Sequence, residues 1–397
     1  MNKKWRLALL LILTLSVVSI FAVWFLTSHN GMALSRARPL RNTTIRSRRQ
    51  KTLHHRDSSA NRIIYSWDPD RVNLYRRYRM NFHGCEYSNC VLNYSDDPED
   101  AIHADVVLVA FNSHHNLAQI SKLIRQKKVE QDTVWLVDGQ ESPRYHWLKW
   151  RDFFNDFDGA ITYTKDAAVY NPYGATVALK RTNTNIKPNY AANKTKGAFA
   201  YVSNCLSAGY ARLKLMKELG KYIDVDIYGG CAGNRPCPRG DSHCEARVHS
   251  QYHFYLSWEN SLCTDYITEK FWKVLETEGY YIPVAVGGLT LDEYTSVSPP
   301  DSFLHLYNFS SVAQLGNYMN RLMKNPQAFN KYNAWRSNFK VIRPGQMRLC
   351  KLCEIANNPS KFKRKHSYIA DKFNDPKTCK EIPQYQSVWS TLLNVLL

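Results

Sequence analysis

The chain has 397 residues, 44% of them apolar, and a formal net charge of +19. That length and apolar share exclude a single small domain and a wholly disordered protein, and suit two domains with a large core. No repeat with a solenoid period is apparent.

Residues 7–26, LALLLILTLSVVSIFAVWFL, carry no charge and are long enough to cross a bilayer as a helix. Lys3, Lys4 and Arg6 precede them, as the positive-inside rule expects. A cleaved signal peptide would have a shorter apolar region and a small-residue cleavage site. Here Val23-Trp24-Phe25-Leu26 runs straight into Thr27. The expectation is a cytoplasmic tail over 1–6, a retained membrane signal-anchor over 7–26, and a lumenal remainder. Eight basic residues fall between Arg36 and Arg56, in a stretch poor in apolar residues. Residues 27–60 therefore read as a stem. A nucleic-acid arm would share that charge, but a lumenal protein rarely meets nucleic acid. Ten cysteines, and Asn-x-Ser/Thr acceptors at Asn42, Asn93, Asn193 and Asn308, fit an oxidising, glycosylating compartment. Cys350-Lys-Leu-Cys353 has the spacing of half a zinc site, but a second ligand pair is missing, and a lumenal setting favours disulfides.

Past the stem, apolar runs alternate with helical stretches. ADVVLVAF (104–111), TVWLVD (133–138) and GAITYT (159–164) read as buried strands, with helices near 116–128 and 146–156 between them. The polar segment Arg181 to Lys196 reads as an interdomain linker. Alternation resumes with strands at 197–205 and 223–229 and a helix over about 208–220. A Gly/Pro/Cys-rich excursion, CAGNRPCPRGDSHC, leads to the strand HFYLSW (253–258). A helix beginning near Thr264 or Asp265 carries Ile267, Phe271, Val274 and Leu275 as an apolar stripe. A strand at 280–288 and helices near 311–324 and 327–339 close the unit. The pattern is α/β, two doubly wound units facing across a cleft, with ligands at the carboxyl ends of the strands.

The chemistry concentrates in FYLSWENSLCTDYITEKFW (254–272). A helix N-terminus there is an anion site, and Lys270 adds a full positive charge. Asn260 and Tyr266 supply uncharged donors, and Glu269 can accept from sugar hydroxyls. Arg212, early in the helix after Val202-Ser203-Asn204-Cys205, can face the same crevice. Glu141 lies in the loop that ends a first-unit strand, fixed by the Ser-Pro that follows. Asp224-Val225-Asp226 has the form of an Asp-x-Asp metal motif but lies inside a strand rather than in the loop a metal needs. His114-His115 reads as lining an acceptor cleft. There is no G-x-G-x-x-G, Walker loop or G-x-S-x-G.

These residues carry a resemblance. FYLSWENSLCTDYITEKFW followed by IPVAVGG resembles the signature of the α1,3-fucosyltransferases, family 10 of the glycosyltransferases. DGQESPRYHW, ITYTKDAAVYNPYG, AYVSNCLSAGYARLKLMKEL and a terminal CKLC agree in order, over roughly residues 61 to 397. The resemblance implies a GT-B fold of two facing Rossmann-like domains, an acceptor-side domain over 61–185, a GDP-fucose domain over 186–345 and a disulfide-tethered tail over 346–397. It implies a single-pass type II protein of the Golgi membrane that transfers fucose from GDP-fucose to a GlcNAc of a glycan, with no metal required. Arg212, Asn260, Tyr266, Glu269, Lys270 and Tyr163 would bind the donor, and Glu141 would be the base. Cys85 and Cys90 would pair with Cys350 and Cys353. Trp258 stands where the family usually has Phe, and His114-His115-Asn116 departs from the vertebrate Lewis-type enzymes. The Cys231, Cys237, Cys244 and Cys263 set resembles the invertebrate and core-type branch. Two rivals are another Golgi sugar-nucleotide transferase, using a different donor, and a catalytically silent lumenal glycan-binding protein. The second predicts loss of Glu141, Arg212 or Lys270, and all three are present.

Overall fold

Strands apolar at every position need cover on both faces, which parallel sheets flanked by helices supply. The computed structural model describes residues 61–67, 81–94, 101, 103–110, 117–128, 133–143, 151–184, 187, 189–205, 208–233, 236–237, 241–365 and 378–380. The expected membrane segment 7–26, the stem, Asn42 and His114-His115-Asn116 lie outside them. Among the described residues no helix is long and apolar enough to cross a membrane.

The first sheet comprises β1 (Arg62–Ser66), β2 (Cys90–Tyr94), β3 (Val106–Ala110), β4 (Val134–Asp138), β5 (Gly159–Thr162) and β6 (Val169–Tyr170), in the order β2-β1-β3-β4-β5-β6. Every pairing in it is parallel. β3 and β4 are buried at all positions. Helix α1 (Leu117–Lys128) lays Ile120 and Ile124 on one face, against Val107, Val109 and Trp135.

The chain then crosses to the second unit through β7 (Ala175–Ala178). The second sheet holds β8 (Lys196–Tyr201), β9 (Val225–Tyr228), β10 (Tyr252–Trp258), β12 (Ile282–Val286) and β13 (Leu304–His305), in the order β13-β12-β10-β8-β9. It too is parallel throughout. Helix α2 (Ala208–Leu219) buries Leu215, Met216 and Leu219 in the same core as Phe254, Leu256 and Trp258 of β10 and Leu315 and Met319 of a later helix, α6 (Val312–Met323). Tyr255, Ser257 and Glu259 alternate onto the other face of β10, as the two-residue period of a strand requires.

Several boundaries differ from the sequence reading. The Gly/Pro/Cys-rich excursion ends in a helix, α3 (Ser242–His249), because the Asp241 carboxylate accepts from the Cys244 amide at 2.9 Å and caps it. The helix expected to start at Thr264 or Asp265 starts later, as α4 (Glu269–Glu276) with Thr268 as its N-cap. Before it, Leu262–Cys263 forms β11 and Asp265 takes a positive φ of 58°, so the chain turns before it coils. A short helix missed by the sequence, α5 (Leu291–Thr295), follows β12, capped by Thr290. The helix expected over 327–339 is a short helix, α7 (Pro326–Lys331), then one 3₁₀ turn (Ala334–Ser337), then a strand, β14 (Phe339–Ile342). Asn333 supplies the reason: its side chain is buried and bonded to the Tyr280 carbonyl and the Arg336 guanidinium, and competes with helical continuation. β14 pairs antiparallel with β7, so both crossings between the units run side by side.

The tail returns to the first sheet. Helices α8 (Gly345–Asn357) and α9 (Pro359–Lys365) bury Leu349, Leu352, Ile355 and Phe362 against Ile64, Leu108, Leu136 and Ile161. The structure joins Cys85 to Cys350 and Cys90 to Cys353. It also joins Cys205 to Cys231, Cys237 to Cys244 and Cys263 to Cys379, which the sequence left unassigned. The last of these anchors β15 (Cys379–Lys380) against β11. Asn93 and Asn193 are exposed on the first and second units, and Asn308 on a 3₁₀ turn of the second.

Arg348 of α8 makes a buried ion pair with Asp138 at the end of β4. Removing one partner of such a pair leaves a buried charge, at a cost of about 3–5 kcal/mol. Arg348→Met should therefore lose about that much stability in chemical denaturation, and Asp138→Asn with Arg348→Met together should recover part of it. A loss below 1 kcal/mol in the single variant would show that the pair contributes nothing.

Candidate functional site

The carboxyl ends of the two sheets face each other. In the second sheet β8 and β10 are neighbours, with β9 on one side and β12 on the other, so the crevice of a doubly wound sheet opens between them. Arg212 lies on the helix after β8 and Lys270 on the helix after β10, one on each side of that crevice.

Glu259 organises the β10 side. It is 3% exposed, and its carboxylate accepts from the Thr268 amide at 2.8 Å and from the Thr268 hydroxyl at 2.8 and 2.9 Å. Its Oε2 lies 3.3 Å from the Lys270 ammonium. Thr268 in turn caps α4 and accepts from Lys270 Nζ at 3.0 Å. Lys270 also meets Glu269 at 3.1 Å. Burial pushes the Glu259 carboxyl up, against the pull of Lys270. Burial alone would lower the Lys270 ammonium, yet Glu259 and Glu269 hold it above its ordinary value, so it stays charged. The Glu269 carboxyl, pushed up by burial, is held below its usual range mainly by Lys270. Arg212 is 8% exposed, donates from Nη1 to the Trp258 carbonyl at 3.1 Å, and is near enough to repel Lys270. Two cations, Arg212 and Lys270, thus stand at one crevice together with the two carboxylates, Glu259 and Glu269, that hold Lys270 in place, and the cations can pair with an anion there.

The opposing loop is held residue by residue. The Gln140 carbonyl accepts from Tyr173 at 2.5 Å, the Glu141 carboxylate from Tyr266 at 3.1 Å, and Ser142 Oγ meets Ser261 Oγ at 2.7 Å in a buried contact. Tyr266 and Ser261 belong to the second unit, so the Glu141 loop is tied directly to the Asn260–Tyr266 loop. Tyr163 packs on Tyr266 with ring centroids 4.9 Å apart. Lys165 completes the seam, its amide donating to Asp265 at 3.0 Å and its ammonium to Ser296 at 3.0 Å. The structure therefore brings Glu141, Tyr163, Asn260, Tyr266, Glu269 and Lys270 to one seam, with Arg212 across the crevice.

The sequence motif holds Glu259 and Thr268 without giving either a role, and nothing in it singled out Gln140, Ser142 or Tyr255. Gln140 Nε2 and Asn260 Oδ1 are buried without a hydrogen-bond partner among the described residues, and so have capacity left for a ligand. Tyr255, whose hydroxyl is pushed up to about 12 by burial, feels both Lys270 and Arg212. Its signal was its place in the β10 alternation. Asp226 is taken up by Lys196 at 3.0 Å and by the Tyr252 hydroxyl. No group of three or more His, Cys, Asp or Glu among the described residues is placed to hold a metal.

A family model described as glycosyltransferase family 10 (fucosyltransferase), C-terminal, matches residues 191–374, and one described as fucosyltransferase, N-terminal, matches residues 59–174. Alpha-(1,3)-fucosyltransferase fut-1 of Caenorhabditis elegans is 33% identical over 290 residues, covering 71% of this chain and 60% of that protein. Alpha-(1,3)-fucosyltransferase C of Drosophila melanogaster is 35% identical, covering 53% and 52%. The human 4-galactosyl-N-acetylglucosaminide 3-alpha-L-fucosyltransferase FUT6 is 30% identical, covering 65% and 69%. The chain thus spans between half and two thirds of the two invertebrate relatives. A crystal structure of an alpha1,3-fucosyltransferase superposes with a TM-score of 0.47 at 15% identity, covering 72% of this chain and 85% of that one.

The Glu259–Lys270 pair is coupled through Thr268, which makes a double variant informative. Glu259→Gln should cost about 3–5 kcal/mol in denaturant unfolding, and adding Lys270→Met should return part of that loss. Strictly additive costs would show that the two charges do not depend on each other.

Proposed function

Because the chain belongs to glycosyltransferase family 10, the fucosyltransferases, we propose that it is an inverting α1,3-fucosyltransferase that moves L-fucose from GDP-fucose to a GlcNAc of an N-glycan or other glycoconjugate. The observation that carries this reading is the crossing of the two units at Glu141 and Tyr266, which sets a carboxylate beside the crevice of Arg212 and Lys270. The two sheets with facing carboxyl ends agree with a GT-B arrangement. In this reading Arg212, Asn260, Glu269 and Lys270 hold the nucleotide sugar, with Tyr163 and Tyr266 beneath it.

GDP-fucose is β-linked and the product α-linked, so one displacement inverts the centre. As the bond between fucose and the β-phosphate oxygen breaks, negative charge grows on the diphosphate. Arg212, Lys270 and the N-terminus of α4 offset it, and need no metal to do so. Glu141 takes the proton of the acceptor hydroxyl while that oxygen bonds to the fucose anomeric carbon and GDP leaves. General-base help of this kind is worth on the order of 10²–10⁴-fold. The apolar segment 7–26 and the Asn-x-Ser/Thr acceptors support a type II setting in the Golgi membrane, with the catalytic part lumenal and glycosylated.

Two variants test the assignment. Glu141→Gln should keep GDP-fucose affinity near wild type by calorimetry while initial rates fall by roughly 10²-fold or more. Near-normal turnover would remove Glu141 from the mechanism. Lys270→Ala should weaken GDP binding and cut turnover by roughly tenfold or more, and unchanged affinity and rate together would sink the donor-site assignment.

A further inference from the structure

A cavity of about 390 Å³ lies between β14, the segment that follows β7, and the junction of α4 with β12. Its wall includes Leu275 and Glu276, at the end of α4, and Tyr280, just before β12. It therefore sits at the amino ends of the second sheet's strands, whereas the crevice lies at their carboxyl ends. The eight residues of α4, about 12 Å of helix, separate it from the turn that carries Lys270.

The wall is built around one cation. Asn333, 2% exposed, donates to the Tyr280 carbonyl at 3.3 Å and accepts from Arg336 Nε at 3.0 Å. Tyr280 is held at a φ of 52°, a conformation that costs a non-glycine residue energy. The Arg336 guanidinium lies 4.4 Å from the Trp335 ring centre and 5.0 Å from that of Tyr280, and Lys187 Nζ lies 4.9 Å from the latter. Burial pulls the guanidinium down to about 10, so it stays protonated at neutral pH. Apart from the Asn333 bond, Arg336 has no hydrogen-bond or carboxylate partner among the described residues, and its amino ends are unused. Lys187 and Lys340, both exposed on the same wall, form no ion pair among them either. Of the two carboxylates there, Glu276 is taken by Arg343 at 2.9 Å and Glu278 is exposed. Half-buried Leu179, Phe339 and Val341 supply an apolar side. The volume is in the range of small-molecule sites, well above what one inorganic anion fills.

We propose that this cavity is a second ligand site, for a sugar that carries a carboxylate or sulfate group, either free or at the end of a glycan. Arg336, with Lys187 and Lys340, takes the acid group. Glu278 accepts from hydroxyls, and the apolar side covers the carbon-bound hydrogens of the ring. The site does not overlap the nucleotide crevice.

The test is calorimetry and saturation-transfer NMR on the purified full-length protein, with and without GDP. Glucuronic acid and glucose 6-sulfate are the probes, and glucose and inorganic sulfate the comparisons. The acidic sugars should bind at least about tenfold more tightly than either comparison, as one hydrogen-bonded charge implies. GDP should change their affinity by no more than about twofold. Arg336→Gln should weaken them by about tenfold or more. Lys187→Ala with Lys340→Ala, at exposed positions that leave the core alone, should weaken them by about threefold or more. A disaccharide ending in glucuronic acid separates the two sources: tighter binding than the free acid points to a glycan end, weaker binding to a free sugar acid. Displacement by GDP would place the sugars in the crevice and overturn the proposal. So would full affinity in both variants, equal binding of glucose or sulfate, or no binding of either acidic sugar. None of these readouts uses turnover, so their failure leaves the proposed fucosyl transfer untouched.

Discussion

The site depends on one buried carboxylate. Glu259 ends β10, and its acceptor capacity is spent on the amide and hydroxyl of Thr268 and the ammonium of Lys270. A carboxylate so buried is expensive unless every contact is made. Making them forces the chain to turn before the helix, fixes Thr268 as the cap, and stands Lys270 upright at the first turn of α4. The cation beside the crevice is therefore set by a buried carboxylate. The same constraint explains why the helix starts five residues after Thr264 rather than at it. Leu262 and Cys263 are used as strand, and Asp265 turns with its amide on Glu293 at 3.0 Å.

The C-terminal segment serves both sides of the seam. Arg348 grips Asp138, three residues before Glu141, and α8 is fastened to the first unit by Cys350 and Cys353. Beyond α9, Cys379 is bonded to Cys263 inside the loop that carries Asn260 and Tyr266, and Lys380 Nζ reaches the Leu289 carbonyl at 3.2 Å. One tail thus braces the loop of the proposed base and the loop of the donor site. With β7 and β14 already paired at the crossing, the two units are joined at several points of the chain, and covalent ties of long sequence separation remove entropy from the unfolded chain.

Much of this was legible in the sequence, for reasons that separate cleanly. Short apolar runs such as VVLVA and VWLV suit buried central strands, and the parallel α/β pattern followed from their alternation with helices. The short β1 and β2 were not legible because RIIYS and CVLNY mix polar with apolar residues, and the pairing of β7 with β14 was not because the two lie far apart in sequence. The clustering of Asn260, Glu269 and Lys270 was visible because one turn holds them all. That Tyr266 reaches Glu141, 125 residues away, and that Cys263 reaches Cys379, depends on how the two units meet. No local signal encodes that meeting. Glu259 was visible in the motif, but its burial, which makes it the residue that the turn is built on, depends on the packing of the whole unit.

A division of labour follows from the geometry. The groups proposed to hold the diphosphate sit on the second unit, on elements set by β8, β10 and the helices after them. The proposed proton acceptor sits on a loop of the first. In the proposed reaction this separation would let the charge that offsets the leaving diphosphate stay fixed, and so cost no reorganisation. The orientation of the base is instead a property of the seam. Hydrogen bonds of ordinary strength govern it, each worth about a factor of ten when the acceptor is charged.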